Sequence, residues 1–173
     1  LMGKTSVLPM RFGTVADDAQ AVRKILSRNR LALLAQLERV AGKVEMGLRV
    51  TWDVPNIFEY FVDTHPELRQ ERDRLFGGHH EPSQGDKIEM GRMFERLLDG
   101  DRDEHTEKVE EILSRCCNEI KRNKCRNEHE VMNLACLIDV GKQGDFEQTV
   151  FQAAALFDDS FGFDYNGPWP PHN

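Results

Sequence analysis

Apolar residues recur along this chain at two spacings, every second residue and every third or fourth. The points where one spacing gives way to the other divide the chain into elements. The two-residue period is cleanest over Val44, Met46, Leu48, Val50 and Trp52, which alternate with Glu45, Gly47, Arg49, Thr51 and Asp53. Such a run predicts a strand in a sheet covered on one side. An earlier alternation sets Leu8, Met10 and Phe12 against Pro9, Arg11 and Gly13. It predicts a strand over Ser6–Val15, with Pro9 placing it at an edge or a bulge. Between the two, Val22, Ile25, Leu26, Leu33, Leu37 and Val40 form one helical stripe. Asp17 or Asp18 can cap that helix, Asn29 marks a kink or a break, and Gly42 suits the left-handed position that ends it.

Downstream, Asp53 and Pro55 read as the start of a helix that buries Ile57, Phe58, Phe61 and Val62. Pro66 restarts it, and Leu68, Leu75 and Phe76 continue to Gly77-Gly78. The segment from His79 to Asp86 is loop by composition, and its paired histidines read as solvated. From Lys87 to Asn118 the pattern is helical and charged, and the polar stretch Asp99–Glu107 is either a protruding helix or a turn at Gly100. Ile120–Arg126 reads as an edge strand guarded by basic residues. Val131–Val140 is apolar on both faces and should be central. Asp145 with Gln148 reads as a capping box before Phe146, Val150, Ala153, Ala154 and Phe157. Phe161, Phe163 and Tyr165 then alternate into Gly167-Pro168-Trp169-Pro170-Pro171. The order predicts an α+β fold, a ferredoxin-like βαβ–βαβ antiparallel sheet. Residues 1–53 and 119–173 would form it, with a helical hairpin over 54–118 inserted.

Composition narrows the function classes. The chain has 173 residues, with 23 Lys+Arg against 30 Asp+Glu for a net charge of −7. That sign argues against a general attraction to nucleic acid or anionic lipid. No apolar run is long enough to span a bilayer, and no signal-peptide pattern is present. Cys116, Cys117, Cys125 and Cys136 lack zinc spacing and read as reduced thiols. The sequence holds no glycine loop for phosphate, no GxSxG and no HExxH, and its carboxylates lie on charged helix faces. Neither an enzyme nor a cofactor or metal site is indicated. The candidate contact residues are Trp52, Tyr165 and the rigid tail of Pro168, Trp169 and Pro170. The tail indole either docks a partner or folds back to seal the end of the helical layer. Arg11, a cation in an apolar run, would pair a carboxylate or orient the tail.

Four stretches add a resemblance: Val7-Leu8-Pro9-Met10-Arg11-Phe12-Gly13-Thr14, Gly42-Lys43-Val44-Glu45-Met46-Gly47-Leu48-Arg49-Val50, Met132-Asn133-Leu134-Ala135 and the closing Gly-Pro-Trp-Pro-Pro. Together, and in this order, the chain resembles the gas vesicle synthesis proteins GvpF and GvpL. The resemblance implies a non-enzymatic accessory protein of vesicle assembly, a chaperone or adaptor for the hydrophobic major shell protein GvpA and other minor vesicle proteins. It also implies a cytoplasmic or vesicle-associated location and a further N-terminal family region ahead of the Val-Leu-Pro stretch. His172-Asn173 stand where the family continues with Tyr and an apolar end. The competing reading is a small-ligand regulatory or catalytic domain on the same scaffold, with its pocket near Arg11.

Overall fold

The computed structural model describes residues 7–8, 13–77 and 82–171. Its framework is one antiparallel sheet of four strands, β1 (Lys43–Trp52), β2 (Glu119–Asn123), β3 (Glu130–Asp139) and β4 (Phe161–Trp169), in the order β2-β3-β1-β4. Helices α1 (Ala19–Arg28) and α2 (Arg30–Val40) precede the sheet, α3 (Ile57–Thr64), α4 (Pro66–Phe76) and α5 (Gln84–Leu113) join β1 to β2, and α6 (Gln143–Ala154) joins β3 to β4. This is the split βαβ arrangement that the alternating segments predict. β3 is central and β2 lies at an edge, as their patterns require. β2 supplies the fourth strand, and α3–α5 stand where the arrangement places its first helix.

The expected strand over Ser6–Val15 falls largely on Pro9–Phe12 and other residues outside the described set. Its described members, Val7–Leu8 and Gly13–Val15, belong to no strand.

Register decides which side chains meet. Val44, Met46, Leu48 and Val50 stand opposite Ile138, Cys136, Leu134 and Met132, so eight apolar side chains share one face. Trp52 extends that face. Helices α3–α6 cover it with Phe61, Leu68, Leu98, Val109, Leu113, Phe146 and Val150 in one continuous core. Trp52 is buried there, edge-on to Phe61 with centroids 5.4 Å apart.

Several local expectations hold and several shift. Asp18 caps α1 by accepting the Ala21 amide at 2.6 Å, and Gly42 takes φ +66° after α2. At Asn29 the stripe breaks into two helices, and the Asn29 side chain donates to the Ile25 carbonyl. Asn56, not Asp53, caps α3: the chain is still bonded to the sheet at Asp53, whose amide donates to the Ser160 carbonyl, and the helix begins only at Ile57. The segment read as loop up to Asp86 begins α5: Ser83 and Asp86 form a reciprocal capping box. α5 runs unbroken through Gly100. A mid-helix glycine costs about 1 kcal/mol, which Leu98, Val109 and Leu113 offset by burying one side on the sheet. Arg102 adds bonds from α5 to the carbonyls of Glu130 and Asn127, both at 2.9 Å. α6 starts at Gln143, two residues before the expected capping box, and Lys142 at its cap makes no side-chain bond.

At the rim of the core, His105 lies against Phe157 and Phe161, with ring centroids 5.3 and 5.1 Å away. Burial lowers its pKa below the usual 6.5, against the opposing pull of Asp101, Glu104 and Asp158 and with Lys108 adding to the depression.

Truncating Phe61 to Ala should cost about 3–5 kcal/mol in urea denaturation, whereas Ser83→Ala should cost about 1 kcal/mol. A group with a depressed folded pKa stabilises above its unfolded pKa and loses that contribution as pH falls. Stability should therefore decline from about pH 6.5 downward, and His105→Phe should flatten part of that decline in thermal melts at stepped pH.

Candidate interaction surface

The face of the sheet away from α3–α6 carries Glu45, Gly47, Arg49 and Thr51 from β1, with Asn133, Ala135 and Leu137 beside them on β3. β4 runs along the other edge of β1. Phe161, Phe163 and Tyr165 stand opposite Trp52, Val50 and Leu48, on the helix-covered side. Continued alternation would put Trp169 on that side too.

It does not arrive there. Asn166 pairs with Gly47 and Trp169 pairs with Glu45, so three steps along β4 match two along β1. The extra residue is a bulge, at a cis Gly167–Pro168 peptide with Gly167 at φ +121°. A Cβ on Gly167 would stand 2.9 Å from the Glu45 carbonyl oxygen, so this approach admits only glycine. The bulge delivers Trp169 to the open face, where it is 53% exposed.

Two further residues fix the indole. The Trp169 Nε1–H donates to Asn166 Oδ1 at 2.8 Å. Asn166 can lie across the sheet because Gly47 beneath it has no side chain: a Cβ there would meet Asn166 Oδ1 at 2.7 Å. Trp169, Asn166 and Gly47 border an open depression of about 310 Å³ that also takes in Arg49, Arg126 and Asn133. Arg49 is held by Asp164 at 2.7 Å, with the buried Glu130 carboxylate 4.0 Å away. The neighbouring end of α2 reaches the same face, where Arg39 and Val40 border a crevice with Leu137 and Pro171. Arg39 also ties α2 to β2 through Glu119 at 2.6 Å.

The expected contact residues therefore part company. Trp169 is at the open face with Pro168 exposed beside it, and Pro170 is half-buried behind. Tyr165 looks the other way: its hydroxyl donates to Glu147 on α6, an acceptor that raises the phenol pKa, and its ring nears Phe146. Trp52 is core. Arg11 lies outside the described residues. The thiols do not read as nucleophiles: burial pushes Cys116 up to about 11. A bond to Cys136, with burial, raises Cys117 further. Among the described residues no group of His, Cys, Asp and Glu is arranged to hold a metal, and no helix is long and apolar enough to cross a membrane. Sequence reasoning missed Gly47 and Asn166, although a glycine inside an otherwise ideal strand is a signal of close approach.

Comparison with known proteins accounts for the whole length. The family model described as gas vesicle synthesis protein GvpL/GvpF matches residues 1–173. The chain belongs to this family. It is 26% identical to gas vesicle protein F of Dolichospermum flosaquae over 96% of this chain and 67% of that one. It is likewise 26% identical to gas vesicle protein F of Nostoc sp., covering 98% and 69%. Its fold matches the crystal structure of GvpF from Anabaena sp. PCC7120 with a TM-score of 0.82 at 24% identity, over 99% of this chain and 70% of that one. GvpF from Microcystis aeruginosa matches at 0.75 and 22% identity, over 95% and 68%. Family membership agrees with the resemblance carried by the strand and tail motifs.

The chain has two tryptophans, one buried and one half-exposed. In a Trp52→Phe background the remaining emission should be red-shifted and open to acrylamide quenching. Adding Asn166→Ala should raise the quenching constant by freeing the indole, with little change in the urea midpoint.

Proposed function

We propose that this chain acts in gas vesicle assembly by binding rather than by catalysis, shielding the hydrophobic major shell protein GvpA and contacting other minor vesicle proteins as a chaperone or adaptor. The observation that supports this most directly is Trp169, kept half-exposed by a bulge, a glycine and an asparagine. A large apolar ring left in water has a burial energy still to gain, and tryptophan in a rigid setting loses little entropy on docking. The flanking Pro168 and Pro170 add that rigidity. Family membership supports the setting, and the polar floor of the depression supports a partner that leaves again rather than a permanent subunit. Trp52 and Tyr165 serve as supports: one anchors β1 in the core, the other ties β4 to α6, and both hold the strand from which Trp169 projects. In this reading the chain works in the cytoplasm and at the growing vesicle.

Pull-down of GvpA by this chain, with and without Trp169→Ala, tests the reading. The substitution should weaken capture by on the order of 2 kcal/mol, about thirtyfold in Kd, while Tyr165→Phe should leave capture within about twofold. Co-expressed GvpA that stays equally soluble with the chain absent would sink the proposal.

A further inference from the structure

The sheet has two outer edges, and they are finished differently. β2 forms one and carries Lys121 and Arg122, basic residues of the kind that keep a free edge from pairing. β4 forms the other, and from Phe161 to Tyr165 it has no lysine, arginine or proline. Among the described residues no strand lies beyond it. Backbone parity fixes which groups that edge offers. The Trp52 amide donates to the His129 carbonyl beside β3, and the Asp53 amide donates to the Ser160 carbonyl beside β4. Successive residues of β1 therefore bond to opposite neighbours, and the β4 residues turned toward β1 are Gly162 and Asp164, opposite Thr51 and Arg49. Phe163 and Tyr165 direct their N–H and C=O groups outward. Pro168, which has no N–H, ends this open row.

An apolar step runs beside the row. Phe163 and Tyr165 are half-buried on the helix-covered side. On α6, Phe146 and Val150 enter the core, and Gln152 borders Ile112 and Arg115 of α5. Glu147, whose carboxylate accepts the Tyr165 hydroxyl, lies on the opposite flank, with Phe151 one turn further along. That flank is the one toward the outer edge of β4, and Phe151 is 60% exposed on it. Charge completes the description. From Asp139 onward the sequence holds six acidic residues and one basic residue, Lys142. Asp158 and Asp159 precede the open row, and Asp164 lies within it, bonded to Arg49 at 2.7 Å yet 59% exposed.

We propose that the outer edge of β4 takes a fifth strand from a partner protein, an extended segment in which apolar and basic residues alternate. Its backbone bonds to Phe163 and Tyr165, its apolar side chains lie against Phe151 and Phe163, and its cations stand beside Asp164. A second copy fits less well. β4 paired with β4 sets acid against acid. β4 paired with another copy's β2 meets an Arg122 already bonded to Glu110 at 2.7 Å, and such a row does not close. The α1–α2 arm ahead of the sheet also exposes apolar residues, Val22, Ile25 and Leu26 at 43%, 48% and 52%, but it has no open backbone row to define its cover. The edge is separate from the face that Trp169 occupies.

The test uses the whole chain and a fluorescein-labelled peptide of about nine alternating valines and lysines, long enough to span Phe161–Tyr165. Anisotropy should show saturable binding. Hydrogen exchange should show the Phe163 and Tyr165 amides gaining protection from the peptide, while those of Gly162 and Asp164 are already protected without it. Methylating every second peptide nitrogen should weaken binding about tenfold or more in one parity, whose bonds to β4 are lost, and should leave it within about twofold in the other. Glutamate in place of lysine should abolish binding. Phe151→Ser and Asp164→Asn should each weaken it severalfold, and Trp169→Ala should leave it within about twofold. Equal binding of the two methylated forms, equal binding of the glutamate peptide, or protection at β2 in place of β4 would overturn the proposal. So would sedimentation showing copies of this chain joined in a form that the unmethylated peptide disperses.

Discussion

Everything else in the molecule depends on the register between β1 and β3. The two strands place Val44 opposite Ile138, Met46 opposite Cys136, Leu48 opposite Leu134 and Val50 opposite Met132. A slip of one residue would turn all of β1's apolar side chains to the open face and bring Glu45, Gly47, Arg49 and Thr51 against the helices. Burying Arg49 against apolar residues, away from Asp164 and Glu130, costs several kcal/mol. The register is therefore the condition under which α3–α6 have a surface to pack on. The helices return the constraint: Phe61, Leu113 and Phe146 fill the same layer from three elements, so no helix can move without opening a gap beside a strand.

On the other edge of β1 the same parity is kept only as far as Asn166. One extra residue then reverses it, and the reversal is what brings an exposed indole out of a structural strand. Had β4 continued regularly, Trp169 would have joined Tyr165 over α6 and become one more core side chain. The bulge is written in Gly167-Pro168, since only glycine takes φ +121° with its α-carbon pressed on the Glu45 carbonyl. Gly47 is the matching absence on β1. Two glycines on neighbouring strands thus do a single job, one turning the chain and the other leaving room for the asparagine that holds the ring.

Sequence pattern revealed most where burial is one-sided or complete. β1 and β3 were legible from their apolar residues alone, β2 from its lysine and arginine, and α3 and α6 from stripes that meet the core. The order of segments indicated the split βαβ arrangement, although its first unit was read through Ser6–Val15 and the α1–α2 stripe and is instead β1, α3–α5 and β2; four motifs indicated the family. Legibility failed where tertiary contacts outvote local chemistry. Gly100 leaves helix and turn both open until α5 is seen anchored on both sides of it, and Ser83 reads as loop because its glycine- and proline-rich neighbours mask a capping box. Trp169 was visible as a candidate, but its face was not, because alternation counts residues and a bulge miscounts them. The α1 stripe shows the converse: periodicity identifies an apolar face without saying whether the fold covers it.

The exposed arm can be weighed against the cost of using it. Covering the remaining half of Val22, Ile25 and Leu26 gains on the order of 1 kcal/mol each. That sum lies below the roughly 4 kcal/mol or more lost as rigid-body freedom on association. α1 alone therefore holds nothing. Leu31 and Leu34 do not add to that sum, because at 100° per residue they lie on the side of the arm away from the α1 stripe. The Trp169 face differs in kind, since one indole seated in a pocket can supply a hot spot by itself. The α1 stripe can therefore only add area to a contact anchored elsewhere, whereas the indole has the size and rigid setting to anchor one.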